Sequence, residues 1–231
     1  MIHIHNLTKE YNGVEVLSID SIEIKKGESI GLVGNNGAGK TTLFSLLLDL
    51  IQASTGEVSI NGFKVNESEQ WKNFTGSFLD ESFLIGYLTA EEYFYFIGDL
   101  HQMSKDAVNE FLTQYKEFFN DEILGKRKYI RDLSKGNQKK VGIVGALIGN
   151  PELIILDEPF ANLDPSSQFR LKEIIRELMA AKQVTILISS HDLSHTVEIS
   201  DRIIALDKGR VIKDIATSSE TLTELVSYFS V

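Results

Sequence analysis

Apolar positions along the chain switch between two spacings, and the switches mark out its elements. Up to residue 66 the spacing is short. Val14-Glu15-Val16-Leu17, Ile22-Glu23-Ile24 before Lys26-Gly27, and Val58-Ser59-Ile60 before Asn61-Gly62 are alternating or β-branched runs broken by turn residues. They predict strands, and the Asn-Gly pair predicts a hairpin. Together they predict a small β-rich layer surrounding a short buried strand, Ser29-Ile30-Gly31-Leu32-Val33, which a leucine-rich helical face from Thr42 to Ile51 follows. The middle of the chain is helical. Thr89 with Glu92 forms a capping box ahead of an aromatic helix running to about Leu100. Val108, Phe111, Leu112, Tyr115, Phe118 and Phe119 then recur at helical spacing and read as the core of a helical subdomain. From Val141 strand and helix alternate again. Leu153-Ile154-Ile155-Leu156 and Thr185-Ile186-Leu187-Ile188 predict buried parallel strands. The helix between them has Asp164 at its N-cap, Pro165 at its first position and Leu171, Ile174, Ile175 and Leu178 on one face. Ile203 to Leu206, Asp207-Lys208-Gly209 and Val211-Ile212 predict a closing hairpin, and residues 219–229 a short terminal helix that leaves no room for a C-terminal regulatory domain.

The junction after the first buried strand carries the most specific chemistry. Gly34-Asn35-Asn36-Gly37-Ala38-Gly39-Lys40-Thr41 matches the phosphate-binding pattern G-x-x-x-x-G-K-[ST] at every fixed position, between a strand and a helix. Glycines let backbone N–H groups turn inward around a β-phosphate, and the helix N-terminus adds a positive dipole end. Lys40 neutralises β/γ oxygens, the Thr41 hydroxyl is placed to ligate Mg²⁺, and Thr42 completes the candidate nucleotide-binding run. The second apolar strand of the pair, Leu153 to Leu156, ends in Asp157 and Glu158. A carboxylate at such a strand end holds Mg²⁺ through its coordinated waters, the Walker B role, and Glu158 beside it suits a general base for a water attacking a γ-phosphate. The sequence therefore predicts a nucleoside triphosphate site with Mg²⁺.

Composition narrows the setting. A chain of 231 residues accommodates one large α/β domain or a core with an inserted subdomain. Its formal net charge of −10 argues against a broad basic surface, so no nucleic-acid partner is expected. There is no cysteine, which rules out disulfides and thiolate metal sites and suits a cytoplasmic protein. Met1-Ile2-His3-Ile4-His5 lacks the layout of a signal peptide, and no apolar stretch approaches the ~20 residues that span a bilayer. Any membrane role is expected to come through a partner.

Leu133-Ser134-Lys135-Gly136-Asn137-Gln138, upstream of the strand that ends in Asp157, decides between families. A serine and a permissive glycine at a helix start are what a γ-phosphate cap requires. The segment resembles the L-S-G-G-Q signature of ATP-binding cassette (ABC) ATPases in its L-S-K-G form, and the resemblance covers nearly the whole chain. It implies an α/β fold with a P-loop NTPase (RecA-like) core, residues 1–78 and 151–231, an N-terminal antiparallel β subdomain, and an inserted helical subdomain at 79–150 that carries the signature. It further implies that Tyr11 stacks on adenine, that Ser134, Lys135, Gly136, Asn137 and Gln138 act on a partner chain's ATP, and that Ala161-Asn162-Leu163-Asp164 is the D-loop. By the same resemblance His191 is the switch histidine that contacts the γ-phosphate, and Asp80, or in the alternative Glu81, takes the Q-loop position near the metal, where the family usually has Gln or Glu. Such subunits form a homodimer or pseudo-symmetric dimer around two ATP and drive separate integral membrane permease subunits from the inner face of the membrane. The signature variant looks most like exporters of the ABC-2 type. The alternative is a soluble ABC ATPase not coupled to transport, of the iron–sulfur assembly type.

Overall fold

The structure, a computed structural model, describes residues 1–180 and 183–229. Two sheets divide the strands. β1 (Ile2–Tyr11) pairs antiparallel with β2 (Val14–Ile24) across an Asn12-Gly13 turn. Both turn residues have positive φ, 52° and 78°, as a two-residue hairpin of native twist requires. The runs at Val14 and Ile22, separate in the sequence pattern, belong to one continuous strand. β3 (Ser29–Val33) is buried at every residue and leads into α1 (Lys40–Leu47). β4 (Thr55–Ile60) and β5 (Phe63–Lys64) form the hairpin expected at Asn61-Gly62. The antiparallel sheet has the order β2-β1-β4-β5, so β3 is not part of it. The sequence reading placed a β-rich layer around β3. An apolar run with no polar face instead takes a central position in a parallel sheet, where both faces are covered.

β6 (Thr75–Phe78) is too short and too rich in Gly and Ser for its pattern to stand out. After it the chain leaves the sheet for α2 (Ala90–Leu100), α3 (Lys105–Thr113), α4 (Lys116–Phe119) and α5 (Lys135–Leu147). The capping box of α2 is complete: Thr89 Oγ1 accepts from Glu92 N at 3.3 Å, and Glu92 Oε2 accepts from Thr89 N at 2.8 Å. The stripe from Val108 to Phe119 is split between α3 and the single turn of α4, with Val108, Leu112, Tyr115, Phe118 and Phe119 all buried.

The sheet resumes with β7 (Leu153–Leu156), followed by α6 (Pro165–Ala180), β8 (Thr185–Ser190), α7 (Leu193–Glu198), β9 (Arg202–Asp207), β10 (Arg210–Ala216) and α8 (Thr221–Phe229). Its order is β10-β9-β3-β8-β7-β6, parallel except for β10 at the edge. β3, β8 and β7 are neighbours, so their carboxyl ends, carrying Gly34, His191 and Asp157, open on one side of the sheet. That edge is where open α/β sheets bind ligands.

The helical excursion is joined tightly to this sheet. α5 packs on β6, and a Cβ built on Gly76 would fall 1.8 Å from the carbonyl oxygen of Ala146. A backbone oxygen cannot swing aside as a side chain can. Gly76→Ala is therefore expected to destabilise the protein by about 2 kcal/mol, or roughly 4–8 °C in Tm, by forcing α5 off the sheet. A thermal melt within about 1 °C of the parent would contradict this close approach.

Candidate nucleotide site

The phosphate loop wraps the start of α1. Gly39 is the N-cap of that helix at φ 105°, a left-handed conformation that a side chain resists. Lys40 is 7% exposed; its Nζ donates to Gly34 O at 2.7 Å and lies 3.5 Å from Glu158 Oε1. Thr41 Oγ1 donates to Asp157 Oδ2 at 2.5 Å, and Ser189 Oγ donates to the other carboxylate oxygen. Burial pushes the Asp157 carboxyl up from its ordinary range, against the hydrogen bonds from Ser189 and Thr41, and neighbouring Glu158 adds to the rise. A buried acid whose charged form burial disfavours despite nearby Lys40, beside a threonine hydroxyl, is a set of hard oxygen donors that Mg²⁺ fits. Among the described residues no cluster of three or more His, Cys, Asp or Glu could hold a metal alone. Mg²⁺ commonly takes one or two protein oxygens and draws the rest from phosphate and water.

Glu158 leaves β7 in the left-handed region, φ 46°, a conformation costing on the order of 1–3 kcal/mol for a residue with a side chain. Neighbours hold it there. Its amide donates to Ser189 Oγ at 2.9 Å, and its carbonyl accepts from Lys139 Nζ at 2.8 Å. Its Oε2 lies 2.8 Å from His191 Nδ1 and accepts from His191 N at 3.3 Å. The His191 ring is largely exposed, on the open side of this group.

Tyr11, at the end of β1, is about half exposed, with the Lys9 ammonium 4.7 Å from its ring centroid. The β9–β10 turn ties β2 to the phosphate loop: Ser18 N donates to Gly209 O at 2.8 Å and Gly209 N to Ala38 O at 2.9 Å.

The signature residues divide into two sets. Ser134 caps α5, its Oγ accepting from Asn137 N at 3.3 Å, and both Ser134 and Lys135 are exposed. Gly136 lies against the carbonyl of Asn162 in the D-loop. Gln138 turns inward instead, while Asn137 is half-buried and pairs with exposed Glu122. Asn137 Nδ2 donates to Glu122 at 3.0 Å, and buried Gln138 donates to Leu133 O at 2.9 Å. Asp164 caps α6, accepting from Ser167 N at 3.0 Å and from the Ser166 and Ser167 hydroxyls, which hold its carboxyl well below the usual carboxylate range.

Asp80 is exposed, and its Oδ1 accepts from Ser82 N at 2.8 Å. Hydrogen bonds from Ser82, with Lys135 and Lys139 nearby, lower its carboxyl pKa. It makes no hydrogen bond with Thr41, Asp157 or Glu158. The neighbouring Glu81 does reach this network, 3.6 Å from Lys139 Nζ. Ser189 and Lys139 were given no role in the sequence reading, and Glu81 only as the alternative to Asp80 at the Q-loop position. Ser189 follows a buried strand as Asp157 does, which is a usable signal, whereas a lysine inside a helix ordinarily reads as solvated.

The family profile of ABC transporters matches residues 17–161. Over 200 residues, 86% of this chain, the sequence is 36% identical to an uncharacterized ABC transporter ATP-binding protein of Synechocystis. The chain belongs to the ABC transporter family. It is an ATP-binding subunit of the ABC ATPase type, and it spans 56% of the Synechocystis relative's length. It is also 32% identical over 224 residues to the bacitracin transport ATP-binding protein BcrA of Enterococcus faecalis, covering 94% of this chain and 70% of that one. A bacterial ABC transporter cassette solved as a dimer superposes with a TM-score of 0.81 at 25% identity, over 95% of this chain and all of its own. The ABC fold expected from the sequence, a parallel core with an antiparallel sheet and a helical excursion, is the one found.

In this ABC subunit the buried Lys40 is the cation nearest the loop's inward face. Lys40→Ala is expected to weaken ATP binding by at least about 100-fold, the equivalent of ~3 kcal/mol for a buried charge left without its partner. Isothermal titration with Mg·ATP checks this; parental affinity would sink the phosphate-loop assignment.

Proposed function

We propose that the chain hydrolyses ATP as one half of a two-chain machine and passes the resulting conformational change to membrane-spanning permease subunits. The observation that carries this reading is a division of labour. Lys40, Thr41, Asp157, Glu158 and His191 converge at one sheet edge. The exposed start of α5 offers Ser134 and its following amides to solvent. A second copy, turned head-to-tail, would bring that start to the γ-phosphate of the first chain's ATP. A related cassette forms a dimer, which supports this arrangement.

In the proposed site Lys40 and the loop amides bind the β- and γ-phosphates, and Tyr11 stacks on the base. Thr41 and Asp157 would hold Mg²⁺, which when bound would neutralise phosphate charge, and Asp80 would serve it through a water. Glu158 accepts a proton from the attacking water, and His191 orients the Glu158 carboxylate at the γ-phosphate. Ser134 and Gly136 of the opposite chain cap the γ-phosphate, with Lys135 beside them, while Asp164 holds the D-loop against the start of α6. Loss of the γ-phosphate would separate the two chains.

A permease is supported by two observations. No helix among the described residues is long and apolar enough to cross a membrane. Beside the loop after β6 lies a groove of about 310 Å³ lined by Leu50, Trp71, Leu79, Phe83 and Tyr93, with Phe83 60% exposed. An apolar rim of this kind suits a partner's docking segment, which would hold the subunit at the inner face of the membrane. The bacitracin transport relative supports a role in transport.

Glu158→Gln keeps the side chain's shape but removes the base. It is expected to slow hydrolysis by about 100-fold or more, retain ATP binding and trap a nucleotide-bridged dimer on size-exclusion chromatography. Continued turnover at the parental rate would remove Glu158 from the mechanism.

A further inference from the structure

We propose that Lys139, buried on α5, is a positioning residue for hydrolysis, holding the left-handed turn at Glu158 and so aiming that carboxylate. The proposal rests on the reading of Glu158 as the base. Lys139 is 5% exposed, and a buried ammonium needs partners. It has two. Its shorter contact, 2.8 Å, is to the main-chain oxygen of Glu158; its acidic partner, Glu81, stands further off at 3.6 Å. Glu81 Oε1 is itself buried with no hydrogen-bond partner. A lysine serving only as a counterion would close on that oxygen, where a charge-assisted bond is strongest. The ammonium instead donates to the carbonyl of a residue whose backbone is disfavoured.

Both peptide groups flanking the Glu158 Cα are thereby pinned, the amide by Ser189 Oγ and the carbonyl by Lys139 Nζ. Without Lys139 the carbonyl keeps only the longer 3.3 Å bond from Ala161 N, and Glu158 is held less firmly against relaxing from φ 46° to the negative region that residues with a Cβ prefer. That rotation would carry its carboxylate away from Lys40 and His191, which lie 3.5 and 2.8 Å from it. The hold also joins three distant stretches of chain: the loop after β6, the signature helix and the end of β7. Its counterion, Glu81, sits two residues from exposed Phe83, so a partner pressing on that loop would act on the turn through Lys139.

The test is steady-state ATPase of the full chain, with nucleotide affinity and Tm measured on each variant. Lys139→Met removes donor and charge at similar size and is expected to lower kcat about 10-fold while KM for ATP stays within about twofold. Because it strands a buried carboxylate, Lys139→Met/Glu81→Gln is measured beside it; the double variant recovers the parental Tm and keeps the loss of kcat. Lys139→Gln, neutral like Met but still an N–H donor, retains at least about threefold more kcat than Lys139→Met. A double variant with parental kcat, a kcat that follows Tm across the set, or equal rates for the Gln and Met variants would each overturn the proposal. Glu158→Gln in the same assay separates the two claims. If it is inactive while the double variant turns over normally, only the positioning role falls; if it keeps the parental rate, the Glu158 assignment falls and this proposal with it.

Discussion

Lys40 must be neutralised where it lies, since an ammonium at 7% exposure has almost no water to serve it. The Gly34 carbonyl, 2.7 Å from its Nζ, accepts its hydrogen bond, and the Glu158 carboxylate at 3.5 Å balances its charge. That requirement fixes what surrounds it. β3 must end one strand away from β7, which the order β3-β8-β7 provides, and β8 between them contributes Ser189 and His191 at the same end of the sheet. The Thr41–Asp157 bond then closes the phosphate loop onto the strand end and leaves a buried acid that favours a cation.

The helical excursion belongs to the same arrangement through α5. Its first turn is exposed and capped by Ser134; further along, Lys139 and Lys140 are buried and reach Glu158 and Asp164. One helix thus presents its first turn outward, where the proposed second chain would meet it, and reaches inward to its own site. Gly76 and Gly142, which admit the Ala146 carbonyl and the Phe78 ring, let that helix lie flush on β6. A shift at either end of α5 is therefore felt at the other, because packed interiors transmit displacement.

Much of this was legible in residue order. The hairpin at Asn61-Gly62, the capping box at Thr89, and the cap of α6 at Asp164 are local signals that structure follows because backbone sterics and a few hydrogen bonds decide them. The residues that meet around Lys40 were nameable because each closes an apolar strand. What stayed hidden depends on distant partners. β6 carries no apolar pattern and exists because β7 offers it an edge. The break between α3 and α4 follows from packing rather than periodicity. Glu81 and Asp80 are adjacent acids in sequence, and only tertiary contacts turn one inward to Lys139 while the other stays exposed.

In the proposed mechanism each hydrolytic site is assembled from two chains. Lys40→Ala and Ser134→Arg chains, purified separately and then mixed, test it most directly. In a head-to-tail heterodimer both lesions fall in one site, leaving the other with an intact phosphate loop facing an intact signature. The account predicts ATPase activity in the mixture well above that of either variant alone. Heterodimers proven by affinity tags on both chains, yet no more active than the separate variants, would contradict it.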